Sequence, residues 1–176
     1  MSKYEISFFG LKEGQHEFEF EIDRKFFECF EKSEIKTGKL KVKVVLNKQP
    51  GLLELNIRIV GYIQVVCDRC LEDFDMPLKY KGELYVKFGE SYEELDENVI
   101  ILKTNTHHLN LSQFLYEYIH LSIPYKRIHP DDENGKSTCN KEMLSLIQES
   151  SFEEEKHNKT DPRWKGLLDL QKKIKN

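Results

Sequence analysis

The hydrophobic and polar positions of this chain alternate with a period of two over much of its first hundred residues, as expected for β-strands with one buried face. Two short runs of this kind come first, YEISFF and HEFEFEI, with a Gly-containing turn between them. Three longer runs follow, LKVKVVL, LLELNIRIVGYIQVV and the stretch from about Phe74 through KYKGELYVKF, joined by turns at QPG and CDRC. They predict a curved antiparallel meander. Gly61 is interpreted as a bulge or bend within it, and VIIL at 99–102 as an added edge strand.

Two further stretches have helical character. Asp23 is the predicted N-cap of a short helix through RKFFECFEK, in which Cys29 is expected to be a buried or half-buried thiol. NLSQFLYEYIHLSIP has apolar residues at i, i+3, i+4, i+7 and i+8, with Asn110 and Gln113 in the spacing of a capping box. We therefore expect a helix near residues 111–122 that packs against the sheet, and a shorter helix through KEMLSLIQ.

These elements predict an α+β fold, in which a helix packs on a curved antiparallel sheet and a C-terminal helix is tethered to the domain. The domain spans residues 1–148 and contains the CxxC turn. Residues 149–160 are acidic and form a predicted linker. Residues 161–176 form a predicted basic helix with the DPRW sequence at its start, where Asp161 is the N-cap and Pro162 occupies the first helical position.

Composition and charge exclude several functional classes. The chain of 176 residues has a formal net charge of −4, so any contact with RNA must come from a local basic patch and not from overall charge. No apolar run approaches the length of a membrane span, and the N-terminal residues do not follow the pattern of a signal peptide. We therefore expect a cytoplasmic protein without a membrane partner. No Ser-His-Asp order, Gly-rich phosphate loop or HExxH occurs, so we expect neither an enzyme nor a small-molecule substrate.

The pair Cys67-x-x-Cys70 is the strongest chemical signal in the chain. A tetrahedral zinc site needs four ligands, and His129 and Cys139 lie together in one polar loop, with Gly135 between them to let the chain turn. The four residues are a possible structural Zn²⁺ site. Two alternatives remain: thiols that bind no metal, and a dithiol redox pair. The redox alternative is weaker because a strand, and not a helix, is predicted to follow the motif.

Two basic features are predicted contacts for RNA or a protein partner. Lys39, Lys41 and Lys43 point to one face of a strand, which Lys79 and Lys81 continue on a neighbouring strand. Arg69 lies at the CDRC turn. The terminal segment supplies further candidates, which are Arg163, Trp164, Lys165, Lys172 and Lys173. The alternative is that these charges only solvate an exposed sheet face and a surface helix.

The order of motifs gives a resemblance to a known family. CDRCLEDF, the helix ending IPYKRIH, the loop with Cys139 and the terminal DPRWKGLLDL together resemble the YceD family of bacteria and plastids, over roughly residues 40–176. The resemblance implies a non-catalytic role in the accumulation of large-subunit (23S) ribosomal RNA. The implied partners are this RNA, ribosomal proteins of a 50S precursor, or both. Cys67 and Cys70 match the first cysteine pair of the family, and Cys139 matches a later loop cysteine.

Two other functions remain open beside ribosome assembly. One is a thiol redox protein that uses the CxxC pair. The other is a zinc-stabilised protein–protein adaptor that makes no contact with RNA, which the net negative charge favours.

Overall fold

The structure, a computed structural model, describes residues 2–147 of the chain. Over these residues the strands are β1 (Glu5–Ser7), β2 (Gly14–Ile22), β3 (Gly38–Gln49), β4 (Leu52–Val66), β5 (Asp73–Gly89), β6 (Glu93–Asp96), β7 (Val99–Lys103) and β8 (His108–Asn110). The helices are a 3-10 helix at Ser2–Tyr4, α1 (Arg24–Glu28), α2 (Ser112–Leu121) and a short α3 at 141–147. None of the helices in this part of the chain is long and apolar enough to cross a membrane.

The chain divides into two compact units. The first consists of Met1–Asp68 and Asp73–His129, and the second joins Arg69–Glu72 to the chain from Pro130 onward. The first unit contains both sheets and helices α1 and α2, whereas the described part of the second contains the CDRC residues from Arg69 and the segment with α3. The predicted end of the domain at residue 148, the linker at 149–160 and the basic helix at 161–176 lie outside the described residues.

The main sheet of the first unit confirms the predicted meander and the α+β class. Its six strands lie in the order β2-β3-β4-β5-β7-β6, and every neighbouring pair is antiparallel except β5 with β7. Strands β1 and β8 form a separate antiparallel pair.

The strand predicted at 99–102 exists, but it is not at the edge of the sheet. β7 pairs in parallel with β5, and β6 pairs with its other side. The sequence of β6, EELD, is fully exposed and has no apolar period, which is why pattern reasoning missed it. Exposed acidic side chains are common on edge strands because they discourage pairing with another chain.

The core lies between one face of the main sheet and α2. Alternate residues of β3 and β4 are buried and the residues between them point outward. The predicted apolar stripe of α2 is confirmed: Leu115 and Ile119 are fully buried, and the Tyr118 ring stacks on Tyr80 at 4.7 Å. Each buried aliphatic side chain of this kind contributes about 1.5–3 kcal/mol relative to an exposed position.

Gly61 has a different role from the predicted bulge. The ladder between β3 and β4 continues through it one residue at a time, with Leu40 opposite Gly61. A Cβ at Gly61 would lie 2.1 Å from the carbonyl oxygen of Lys39. The glycine is therefore required because the backbones of β3 and β4 approach closely there, while the pairing remains regular.

The two predicted helix starts have different outcomes. Asp23 caps α1 as predicted, since its side chain accepts a hydrogen bond from the backbone N–H of Lys25 at 3.0 Å. The capping box at α2 is wrong, because Asn110 is the last residue of β8 and the helix begins at Ser112. Asn110 still accepts a hydrogen bond from the Ser112 N–H at 2.8 Å, but the Gln113 side chain points along the helix and not back to the cap.

Cys29 is exposed, so the prediction of a buried thiol is wrong. It is the C-cap residue of α1, and its Sγ donates to the carbonyl oxygen of Lys25 at 3.2 Å. The helix ends before it makes another turn over the core. The buried positions of α1 are Phe26 and Phe27.

Candidate metal centre and basic sheet face

The CDRC turn joins β4 to β5 and has an unusual backbone. Cys67 directly follows β4, and β5 begins at Asp73, so a strand follows the motif as predicted. Leu71 has a φ of +60°, which places it in the left-handed region. Non-glycine residues rarely adopt this conformation because Cβ crowds the backbone. The Leu71 side chain is 67% exposed, so its own packing does not account for the conformation.

The first unit fixes the segment that carries His129 through a clamp between Asp68 and Arg127. The Asp68 N–H donates to the Arg127 carbonyl oxygen at 2.7 Å, and the Arg127 N–H donates to Asp68 Oδ2 at 2.7 Å. The guanidinium adds a third bond to Asp68 Oδ1 at 3.2 Å. The backbone hydrogen bond is the main reason that the pKa of Asp68 is lowered from its usual value. Two residues on, the His129 ring lies 4.6 Å from the ring of Phe74.

A tight turn in the second unit presents Cys139. Gly135 has a φ of +72°, and its N–H donates to the Asp132 carbonyl oxygen at 2.9 Å. The predicted turn at this glycine is therefore confirmed, since a left-handed residue is needed there. A β-bridge between Asp131 and Ser137 closes the loop. The hydroxyl of Ser137 then accepts a hydrogen bond from the Cys139 N–H at 3.2 Å, which orients the cysteine.

Arg69 contacts the sulfur of Cys139 within the same unit. Its Nε and Nη2 donate to Cys139 Sγ at 3.2 and 3.1 Å, and Nη2 also donates to Ser137 Oγ. Paired N–H donors of this kind favour a thiolate over a thiol, because the negative sulfur is the better acceptor. Arg69, a predicted RNA or partner contact, is thus half-buried and directed to a sulfur atom in this structure.

The four predicted metal ligands form one cluster. The ligand atoms of Cys67, Cys70, His129 and Cys139 all lie within 4.8 Å of one another. The three cysteines are 0%, 2% and 4% exposed in chain order. In a tetrahedral zinc site with Zn–S bonds of about 2.3 Å, ligand atoms are separated by about 3.5–4 Å. The four residues are therefore a candidate metal site.

The donor set also fits zinc in its chemistry. Three sulfurs and one imidazole are a common combination for structural Zn²⁺, and such sites have no open coordination position. Three thiolates and one Zn²⁺ carry a net negative charge of one, and the guanidinium of Arg69 supplies a compensating positive charge at Cys139. Cys67, Cys70 and Cys139 are all buried. Their burial gives a substrate disulfide no approach to Cys67 or Cys70, which argues against dithiol exchange.

The basic residues predicted on β3 lie on its solvent face. Lys39, Lys41 and Lys43 are exposed and alternate with buried apolar residues. Sequence reasoning missed Arg58, which pairs directly with Lys43 across β3 and β4 and is also exposed. The alternation of apolar and polar residues in LELNIRIVGY directs Arg58 outward, and this pattern could have identified it. The other predicted contacts lie outside the described residues; they are Arg163, Trp164, Lys165, Lys172 and Lys173.

Comparison with known proteins gives one match. The family model described as "Large ribosomal RNA subunit accumulation protein YceD" matches residues 55–171, which is more than half of the chain and includes all four clustered ligands. No curated protein and no solved structure matches the chain. With the CDRC turn, the loop cysteine and the terminal DPRW sequence all inside the matched range, the chain belongs to the YceD family.

Proposed function

We propose that this protein is a non-catalytic ribosome-assembly factor of the cytoplasm that promotes the accumulation of large-subunit (23S) rRNA by binding a 50S precursor. The observation that carries the proposal is the family match over residues 55–171. The precursor is held through rRNA, through ribosomal proteins, or through both. The terminal segment with Arg163 and Trp164 is a second candidate contact, in addition to the basic residues of the sheet.

A structural zinc ion is part of this proposal. Cys67, Cys70, His129 and Cys139 would hold it, and its role would be to fix the CDRC turn in the conformation that Leu71 does not favour by itself. A bound metal of this kind contributes its binding free energy to folding. The ion has no catalytic role in the proposal, because four protein ligands leave no position for a substrate.

The metal proposal is tested by metal content in matched cysteine variants. The wild type and Cys29→Ser are expected to retain one zinc per chain, because Cys29 lies on α1 and is not among the clustered ligands. Cys139→Ser should lose the metal. His129→Cys keeps four ligands and should retain it. A wild type that holds no zinc, even after refolding with excess Zn²⁺ under reducing conditions, would leave the metal-free thiol alternative in place.

The assembly proposal is tested by sedimentation and by rRNA levels. Tagged protein in a lysate should migrate with large-subunit precursors on a sucrose gradient at low salt. Cells without the gene should accumulate less mature 23S rRNA than 16S rRNA. A protein that stays at the top of the gradient at both low and moderate salt, in cells with normal 23S rRNA, would contradict the proposal.

The same gradient separates RNA binding from an adaptor role. Complexes that survive RNase treatment and are insensitive to salt would indicate a zinc-stabilised protein–protein adaptor, because phosphate contacts weaken steeply as salt rises. The net charge of −4 is the observation that favours this second candidate.

A further inference from the structure

The solvent face of the meander gathers positive charge from three neighbouring strands. We call this surface the basic face, and its cations are Lys39, Lys41, Lys43, Arg58, Lys79 and Lys81. We propose that the basic face binds the phosphate backbone of single-stranded rRNA, with Tyr62 stacking on a base. This inference rests on the proposed function and gives it a specific surface and a ligand class.

Like charges stand directly opposite one another on this face. Lys43 pairs with Arg58 across β3 and β4, and Arg58 pairs with Lys81 across β4 and β5. Neighbouring strands are about 4.8 Å apart, and like charges directly opposite each other destabilise a sheet. The fold retains an arrangement that costs stability, which is typical of a binding surface.

Few cations of the basic face form an ion pair with a carboxylate, although carboxylates line the β2 edge of the face. Among the described residues, Lys43 has an ion pair, with Glu17 of β2 at 2.6 Å, and the other five cations of the basic face have none within 4.0 Å. Glu19 and Glu21 of β2 lie beside Lys43 and Lys41 and form an acidic border along the strand.

The centre of the basic face is apolar and partly aromatic. Val60 lies between Lys41 and Lys79, and it is 42% exposed. Tyr62 is next on the same side of β4 and is 41% exposed. A sheet surface with an exposed aromatic ring among cations can stack a base while the lysines reach phosphates on both sides. A duplex does not offer its base faces for such stacking.

The ligand class follows from this combination. Lysines at i and i+2 along a strand are about 7 Å apart, and β3 presents three of them in a line, with a parallel line on β5. Two lines of cations on either side of a hydrophobic strip suit a flexible polyanion with flat apolar groups. Single-stranded RNA has this chemistry, because a base accompanies every phosphate, whereas the carboxylates of an acidic protein are not regularly accompanied by aromatic rings.

The first test compares two triple variants that remove the same charge. Lys41→Gln/Arg58→Gln/Lys79→Gln changes the basic face, and the control set is Lys12→Gln/Lys32→Gln/Lys103→Gln, whose lysines are exposed and lie outside it. Binding of fluorescein-labelled oligouridylate of about 20 nucleotides to the full chain is measured by anisotropy as salt is raised. The face variant should lose at least about ten-fold in affinity, and its log–log salt slope should fall by about 2. The control should change less than about three-fold. Equal losses in both variants would overturn the proposal.

The second test isolates stacking from charge. Tyr62→Leu keeps an apolar side chain on β4 and should weaken oligouridylate binding about five-fold or more, with an unchanged salt slope. Tyr125→Leu is the matched control, since Tyr125 is 98% exposed and lies outside the basic face. Thermal melting of each variant verifies that the fold is retained. Unchanged binding by Tyr62→Leu, or stronger binding to a duplex than to the single strand, would exclude the stacked single strand.

The gradient distinguishes failure of this inference from failure of the proposed function. A wild type that sediments with large-subunit precursors, together with a face variant that does so equally well, overturns the inference and leaves the assembly role intact. A wild type that never sediments with precursors removes the assembly role itself. A face variant that binds oligouridylate normally but no longer sediments with the precursor would overturn the inference, because it would indicate that the basic face binds an acidic protein and not RNA.

Discussion

Arg69→Gln is expected to weaken metal binding although it removes no ligand. In the structure Nε and Nη2 of Arg69 donate to Cys139 Sγ at 3.2 and 3.1 Å. With Zn²⁺ bound, the three-thiolate site carries one excess negative charge, and the guanidinium is the cation in contact with it. The substitution removes this charge and two charge-assisted hydrogen bonds, and it leaves the four ligands of the cluster in place.

The expected loss of zinc affinity is that of removing an outer-shell partner of a metal ligand. Loss of an outer-shell partner typically lowers metal affinity 10–100-fold, which is about 1.4–2.7 kcal/mol of binding free energy. At saturating zinc, the stability of the loaded protein should fall by a similar amount, because metal binds the folded state and not the unfolded chain. Arg69→Lys keeps the charge but offers a single ammonium in place of a fork of donors, so its affinity should be intermediate.

Competition with a chromophoric zinc chelator gives the affinity directly. The matched control is Arg24→Gln, because Arg24 is an exposed arginine paired with Glu28 on α1 and is not part of the cluster. We expect wild-type affinity for the control. If Arg69→Gln binds zinc within about two-fold of the wild type, the guanidinium does not stabilise the thiolates and the charge argument is refuted.

Three further predictions concern stability and are measured by denaturant unfolding. Gly61→Ala should lower the free energy of unfolding by about 2 kcal/mol, because its Cβ would clash with the Lys39 carbonyl oxygen. The control Gly10→Ala, whose Cβ would meet no atom within 4 Å, should stay near the wild type. Equal stabilities of the two variants would exclude the clash. Leu71→Asn should raise the free energy of unfolding by up to about 1 kcal/mol, since asparagine tolerates a φ of +60°. A lower stability than that of the wild type would contradict this. Tyr118→Phe should leave the free energy of unfolding unchanged or raise it by up to about 1 kcal/mol, because the buried hydroxyl has no hydrogen-bond partner in the described structure. A clear loss of stability would contradict this and indicate that the hydroxyl does have a partner.

The meander and its helix could be predicted because each long strand has a buried and a solvent face. The alternation of apolar and polar residues identifies which side chains of β3, β4 and β5 enter the core. In the same way, the apolar stripe of α2 identifies the side of the helix that is buried. The edge strand β6 could not be predicted in this way. Its four residues are all exposed, and only pairing with β7 makes them a strand. Such pairing depends on contacts that are distant in the sequence.

The four candidate metal ligands were predicted together as a possible site, but the sequence does not show which contacts position the two distant segments. Spacing identified Cys67 and Cys70, and a polar loop suggested His129 and Cys139, but 58 residues separate Cys70 from His129. The hydrogen bonds that fix the two distant segments come from the Asp68–Arg127 clamp and the turn at Gly135. The turn was predicted from Gly135, but the clamp does not follow from a sequence pattern, because Asp68 and Arg127 have no feature that distinguishes them from other surface charges.

The metal centre and the basic face use the same strand but are stabilised by different interactions. β4 carries Arg58 and Tyr62 on its exposed side and then leads into Cys67 at its end. The basic face is held by two ladders: β5 pairs with the full length of β4, and β3 pairs with β4 from Leu52 to Ile63. These ladders contain none of the four ligands, so the face does not need a metal ion to keep its register. A bound metal ion would instead fix the turn that follows the strand. Removal of the proposed zinc ion is therefore expected to perturb the CDRC turn and to leave the register of the basic face unchanged.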